Sequence, residues 1–215
     1  MEDWTLRNIQ QQDWISLVFL FNFIVLTILK TRHKTQFQYF IRFIDSELYF
    51  KIYGKQKSVI NSFTTLGAAF LIINCTLLVY YHLTTNNFGP NSFPFFSLIL
   101  ITTNGVVILR HFFLQLCFKI IEIERISNDF KFKGLNLLIQ ISIPLYVLLL
   151  LYQYSVTNGT FLNIISGITF TLYLLSQLSL FKEYWHVLKH NLLYLILYLC
   201  AFKLAPWILL YSTFN

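Results

Sequence analysis

Leu135-Asn-Leu-Leu-Ile-Gln140-Ile-Ser-Ile-Pro144-Leu-Tyr-Val-Leu-Leu-Leu-Leu-Tyr-Gln-Tyr-Ser-Val156 is a run of 22 residues without Asp, Glu, Lys, Arg or His. A helix rises 1.5 Å per residue, so this run would reach about 33 Å, slightly more than the roughly 30 Å hydrocarbon core of a bilayer. Its apolar residues are continuous rather than alternating. That excludes the short, period-two segments of a membrane β-barrel. Five further runs share this character, at residues 14–29, 58–81, 95–118, 161–181 and 191–211. The first is short, and Lys30 can snorkel to complete it. Acidic residues and a single Arg7 precede it, with no small-residue cleavage site, so it is expected to remain as a span.

Composition agrees with these runs. Of 215 residues, 56% are hydrophobic, 19% aromatic and only 12% charged. Soluble domains carry about twice that charge. An ordinary soluble domain, a disordered chain and a secreted disulfide scaffold are thereby excluded. Cys75, Cys117 and Cys200 all fall inside apolar runs and form no CxxC motif. The expected fold class is all-α, a single polytopic transmembrane bundle of six spans.

The net charge of +7 would suggest nucleic acid in a soluble protein, but here its placement decides. Thirteen of the sixteen Lys and Arg residues lie in the connections 30–57, 119–134 and 182–190. The connections 82–94 and 157–160 and the C-terminal tail have none, and the N-terminal tail has only Arg7. The alternation fits six spans. The positive-inside rule then puts the basic connections in the cytoplasm and both termini outside. No nucleic-acid partner is implied. Lys30, Arg32, Lys34, Lys51, Lys55 and Lys57 are candidates for contact with anionic headgroups, at about 1 kcal/mol each.

Between the first two spans, Phe37, Phe40, Ile41, Ile44, Leu48 and Ile52 recur at helical spacing. Residues 36–53 are read as a cytoplasmic amphipathic helix in the membrane interface. A helix packed on the protein's own loops fits the same spacing.

Ionisable groups inside a span are costly and are functional candidates by default. Arg110 and His111 lie in the third run, about 13 Å from Lys119 along a helix. Lys203 lies in the sixth. Snorkelling, or contact with a backbone carbonyl, is the ordinary alternative for each. Pro206 removes the hydrogen bond to the carbonyl of Phe202, beside Lys203, and Pro144 does the same to the carbonyl of Gln140. Two such helices could line a cavity, or could simply bend to pack. No span contains Asp or Glu, which argues against a carboxylate proton relay. Asn22, Asn74, Asn104, Gln115, Gln140, Asn163 and Gln177 are the neutral polar residues of the spans, ordinarily used for interhelical hydrogen bonds. Glu183, His186 and His190 could share a helical face and hold a metal, but no fourth ligand is evident. Hydrolase, protease, P-loop and dinucleotide motifs are missing, and no cofactor or catalytic constellation is implied.

The run Leu193-Tyr-Leu-Ile-Leu-Tyr-Leu-Cys-Ala-Phe-Lys-Leu-Ala-Pro-Trp-Ile-Leu-Leu-Tyr211 resembles the closing segment of an uncharacterised family of inner-membrane proteins from the Bacteroidota. So do Asp13-Trp14 before the first span, and the stretch 118–144 with Glu122, Glu124, Phe130, Phe132, Leu135-Asn136 and Pro144. The family pattern usually has an acidic residue where this chain has Lys203. The resemblance implies a bacterial cytoplasmic membrane, in a phylum with type IX secretion and gliding motility. The functional expectation is a non-catalytic membrane subunit that assembles with other membrane proteins. The alternative is a small transporter or lipid flippase using the Pro144 and Pro206 kinks with Lys203 as an anion contact, and a membrane enzyme ranks below both.

Overall fold

The computed structural model describes residues 13–41, 50, 61–120, 124–155 and 158–188; side chains at 110, 111, 113–120, 124–128, 181 and 184–188 lie outside that description. Among the described residues the regular structure is entirely helical: α1 (Asp13–Arg32), α2 (Lys34–Ile41), α3 (Ser62–Thr85), α4 (Phe93–Ile120), α5 (Glu124–Tyr154) and α6 (Gly159–Leu188). Four stretches are long and apolar enough to cross a membrane, namely α1, α3, Asp129–Tyr154 of α5 and Gly159–Leu180 of α6. In α4 the described apolar stretch is shorter, Phe93–Leu109. The sixth expected span, 191–211, lies outside the described residues.

The boundaries differ from the sequence reading where polar residues favour helix. The expected second span, from 58, starts instead at Ser62. Asn61 is extended, and its backbone N–H donates to the Thr64 hydroxyl at 2.9 Å, which caps the helix there. The connection expected over 119–134 is mostly helix, because α4 runs to Ile120 and α5 begins at Glu124. Its Glu, Arg and Lys residues are good helix formers, and charge alone does not break a helix. The connection expected over 82–94 contracts to 86–92. There α3 stops on a Schellman pattern: Phe88 N–H donates to Leu83 O at 2.9 Å and Asn87 N–H to Thr84 O at 3.2 Å. Asn87 takes the left-handed conformation (φ 60°) that this stop requires.

The membrane-length helices alternate in direction. Trp14 at the start of α1 meets Tyr80 near the end of α3 and Phe93 and Phe96 at the start of α4, with ring centroids 5.3–5.7 Å apart. Tyr81 and Tyr152, near the ends of α3 and α5, stack edge to face at 4.9 Å. At the opposite end, Lys133 near the start of α5 pairs with Glu183 near the end of α6. α3 is central and packs on α1, α4 and α5, while α5 also carries α6. α3 and α5 approach closely because Gly67 has no side chain: a Cβ there would lie 2.8 Å from Ile139 Cδ1. α4 and α6 flank this pair.

Over its described part, the expected interfacial helix buries two of its apolar residues in the protein and leaves Ile41 exposed. Phe37 and Phe40 of α2 are buried, and Phe40 meets Phe63 edge to face at 5.2 Å. The packed arrangement therefore holds for 34–41; of the remainder only Phe50 is described, and Lys51, Lys55 and Lys57 fall outside the described residues.

Candidate functional site

The chemistry of the bundle lies in neutral polar side chains buried where α1, α3 and α5 meet. Asn22 and Asn74 are both fully buried, and Asn22 Nδ2 donates to Asn74 Oδ1 at 2.9 Å. Asn74 Nδ2 in turn donates to Phe70 O at 3.0 Å, one turn back on its own helix. Asn22 Oδ1 is buried and receives no bond from the described residues. An apolar medium offers no water to these amides, so pairing across helices is their stable arrangement.

Gln140 is the best connected of the expected site residues. Its buried amide Nε2 donates to Phe40 O at 2.8 Å, joining α5 to α2. Ser142, two residues on, donates to Ile139 O at 2.6 Å within α5. α5 remains helical through Pro144. The polar groups around this proline are therefore used in packing, on α2 and on α5 itself. Next to it, Tyr146 donates from its hydroxyl to Phe19 O of α1 at 3.2 Å.

Further links lie toward the end at which α3 and α5 finish and α4 starts. Tyr81 donates to Gln153 Oε1 at 2.7 Å, and the hydroxyls of Thr85 and Tyr152 lie 3.3 Å apart. Thr76 and Thr103 join α3 to α4 at 2.9 Å. Below Thr103, α4 leaves its neighbours: Gly105 to Leu109 are all exposed, so no face of that turn is covered by the described residues. Arg110 and His111 follow on the same helix, with side chains outside the description.

The other expected residues distribute as follows. Lys30, Arg32 and Lys34 are exposed at one end of the bundle, at the junction of α1 and α2. Among the described residues the opposite end has no Lys or Arg and carries Asp13 at the start of α1. Glu183 pairs with Lys133, and Lys133 Nζ also lies 5.5 Å from the Phe50 ring centre. That commits the Glu183 carboxylate to an ion pair. The His186 side chain and His190 lie outside the description, as do Lys203 and Pro206. Among the described residues no cluster of His, Cys, Asp and Glu could hold a metal.

Residues 15–214 match the family described as Domain of unknown function (DUF4271). The chain belongs to that family. No curated protein and no solved structure matches it.

For this member of the family, sequence reasoning located the amides of the seam but missed its phenols. Tyr81, Tyr146 and Tyr152 sit in apolar runs and count there as hydrophobic bulk, whereas in the bundle each hydroxyl meets a partner on another helix. The available signal was position: all three lie on the same helices as Asn74 and Gln140. At the end where α1 starts, Asp13, Trp14 and Asn91–Pro94 also line an open cleft of about 420 Å³. The Trp14, Tyr80, Phe93 and Phe96 rings beneath it form an aromatic cluster of the kind enriched at membrane interfaces.

Proposed function

We propose that the protein is a non-catalytic integral subunit of a larger membrane or trans-envelope assembly in the bacterial inner membrane. It crosses six times, with both termini periplasmic and the basic connections in the cytoplasm. The concentration of cations at one end supports this orientation, and the exposed Lys30, Arg32 and Lys34 suit anionic headgroups. The resemblance to inner-membrane proteins of the Bacteroidota supports the compartment. A secretion or motility setting follows by analogy alone.

One observation carries the reading: the buried polar side chains of the seam bond helix to helix. Asn22 to Asn74, Gln140 to Phe40 O, Tyr146 to Phe19 O and Tyr81 to Gln153 fix the relation of α1, α2, α3 and α5. Groups spent in this way stiffen a framework. A translocation path would instead direct them into a lumen, and Gln140, the described candidate for such a path, is bound to α2.

Affinity purification of the tagged protein from native membranes in a mild detergent tests the proposal. Stoichiometric membrane partners are the expected result. A clean monomer with nothing bound would overturn it.

A further inference from the structure

The cleft between the starts of α1 and α4 presents both signs of polarity beside aromatic rings. Its volume of about 420 Å³ falls within the roughly 300–1,000 Å³ of small-ligand sites. Asp13 on one wall is exposed, and among the described residues no donor or cation meets its carboxylate. The connection 86–92 contains no charged residue, and the twelve residues before Asp13 bring two carboxylates against the single Arg7. On the other wall, Asn91 Oδ1 accepts from the Tyr80 hydroxyl at 3.5 Å, which leaves the Asn91 amide N–H groups to donate, beside the Ser92 hydroxyl. Trp14 and Phe93, with ring centroids 5.7 Å apart, are the aromatic part of the lining.

A ligand that uses all of these groups needs an ammonium for Asp13 and the aromatic rings, and an anionic acceptor for Asn91 and Ser92. A purely anionic headgroup would face the Asp13 carboxylate. A simple amine would leave the donors unused.

The helices below the cleft extend this ligand into the membrane. α1 exposes Leu17, Phe21, Ile24 and Ile28, at alternating steps of three and four residues from Trp14. That spacing keeps them on one side of the helix, in line with Trp14. From Leu17 to Ile28 the track is about 17 Å long, which matches the roughly 15 Å of one leaflet. α4 exposes Ile101 and then Val106 to Leu109 over a similar depth. An apolar track that starts at a polar cleft is where a headgroup and its own acyl chain meet the protein together.

We propose that this cleft is a phospholipid site for a zwitterionic headgroup with a primary ammonium, of the phosphatidylethanolamine type. The ammonium pairs with Asp13 beside Trp14, the phosphate oxygens accept from Asn91 and Ser92, and an acyl chain follows Leu17 to Ile28. The site lies at the end of the bundle opposite the exposed Lys30, Arg32 and Lys34, and is separate from the anionic-headgroup contacts there. The inference requires only that α1 and α4 lie in a bilayer. It does not depend on the number of spans or on partner proteins.

Native mass spectrometry of the full-length protein in a mild detergent tests it, with phosphatidylethanolamine and phosphatidylglycerol of identical acyl chains as probes. The wild type is expected to retain phosphatidylethanolamine. D13N should lower that binding by about fivefold, near the upper range for one exposed ion pair, without lowering phosphatidylglycerol binding. D13E should restore it. Equal loss of both lipids in D13N would overturn the proposal, because it would mark Asp13 as no more than a favourable charge at the start of α1. Phosphatidylethanolamine binding that is indifferent to D13N would overturn it as well. Soluble phosphoethanolamine supplies the remaining arm. It is expected to compete only weakly; displacement of the lipid at equal concentration would show that the apolar track contributes nothing, and would overturn the lipid in favour of a soluble ligand.

Discussion

α3 and α6 have similar lengths and similar apolar content, yet their surroundings are opposite. α3 is held on three sides, by Asn74 to α1, Thr76 to α4 and Tyr81 to α5, and Gly67 brings it against Ile139. α6 is buried along one side, and the residues it exposes between Ile164 and Ser179 are apolar or small. In lipid, neither helix gains much by hiding apolar surface from its environment. What separates a central helix from a peripheral one here is therefore the placement of amides, hydroxyls and one glycine, and hydrophobicity by itself says nothing about it.

The largest effect should come from the closest approach. Gly67→Leu places a side chain where Ile139 already sits, and is expected to cost about 3 kcal/mol or to prevent folding. Gly105→Leu on α4, where a Cβ meets nothing within 4 Å, should change stability by less than about 0.5 kcal/mol. Thermal unfolding of the two purified variants compares them directly; equal losses would remove the distinction between centre and periphery.

Gln140→Leu comes next. It leaves Phe40 O without its side-chain donor and should cost about 1–2 kcal/mol. Because the bond holds α2, the same variant should increase maleimide labelling of a cysteine placed at Phe37, which is otherwise buried. Unchanged labelling would show that α2 is held by its phenylalanines alone.

The Asn22–Asn74 pair should be weaker than its burial suggests. A double-mutant cycle with Asn22→Leu and Asn74→Leu is expected to give a coupling near 0.6 kcal/mol, the usual value for such bonds in a membrane. A coupling above about 2 kcal/mol would mark the pair as the principal lock of the bundle. The smallest effect is expected at Lys133 and Glu183. Glu183 is 55% exposed, so water and salt screen the pair. A cycle with alanine at both positions should give about 0.5 kcal/mol or less, declining further as salt is raised.

The sequence revealed most where one physical rule acts alone. Continuous apolar runs located α1, α3, α5 and α6, since crossing lipid demands both length and the exclusion of charge. It was misleading at the charged stretch 119–134, where water-loving residues imply exposure and were equated with irregular structure. Apolar spacing in 34–41 showed that Phe37 and Phe40 share a face, but it could not distinguish a lipid neighbour from Phe63. Among candidate site residues, Gln140 and Asn74 stood out because an amide is conspicuous in an oily run. Tyr81 and Tyr146 did not, because a phenol ring hides its hydroxyl among its carbons.

The cross-links of the seam also set a timetable for synthesis. Asn22 precedes Asn74 by 52 residues, and Tyr81 precedes Gln153 by 72. At about 5–20 residues per second, the later partner trails the earlier one by roughly 3–14 s. Throughout that interval a polar group has entered the bilayer ahead of the group that will satisfy it. The insertion machinery must shelter α1 and α3 until the ribosome has delivered α5, so the nascent bundle is most vulnerable before its fourth long helix emerges.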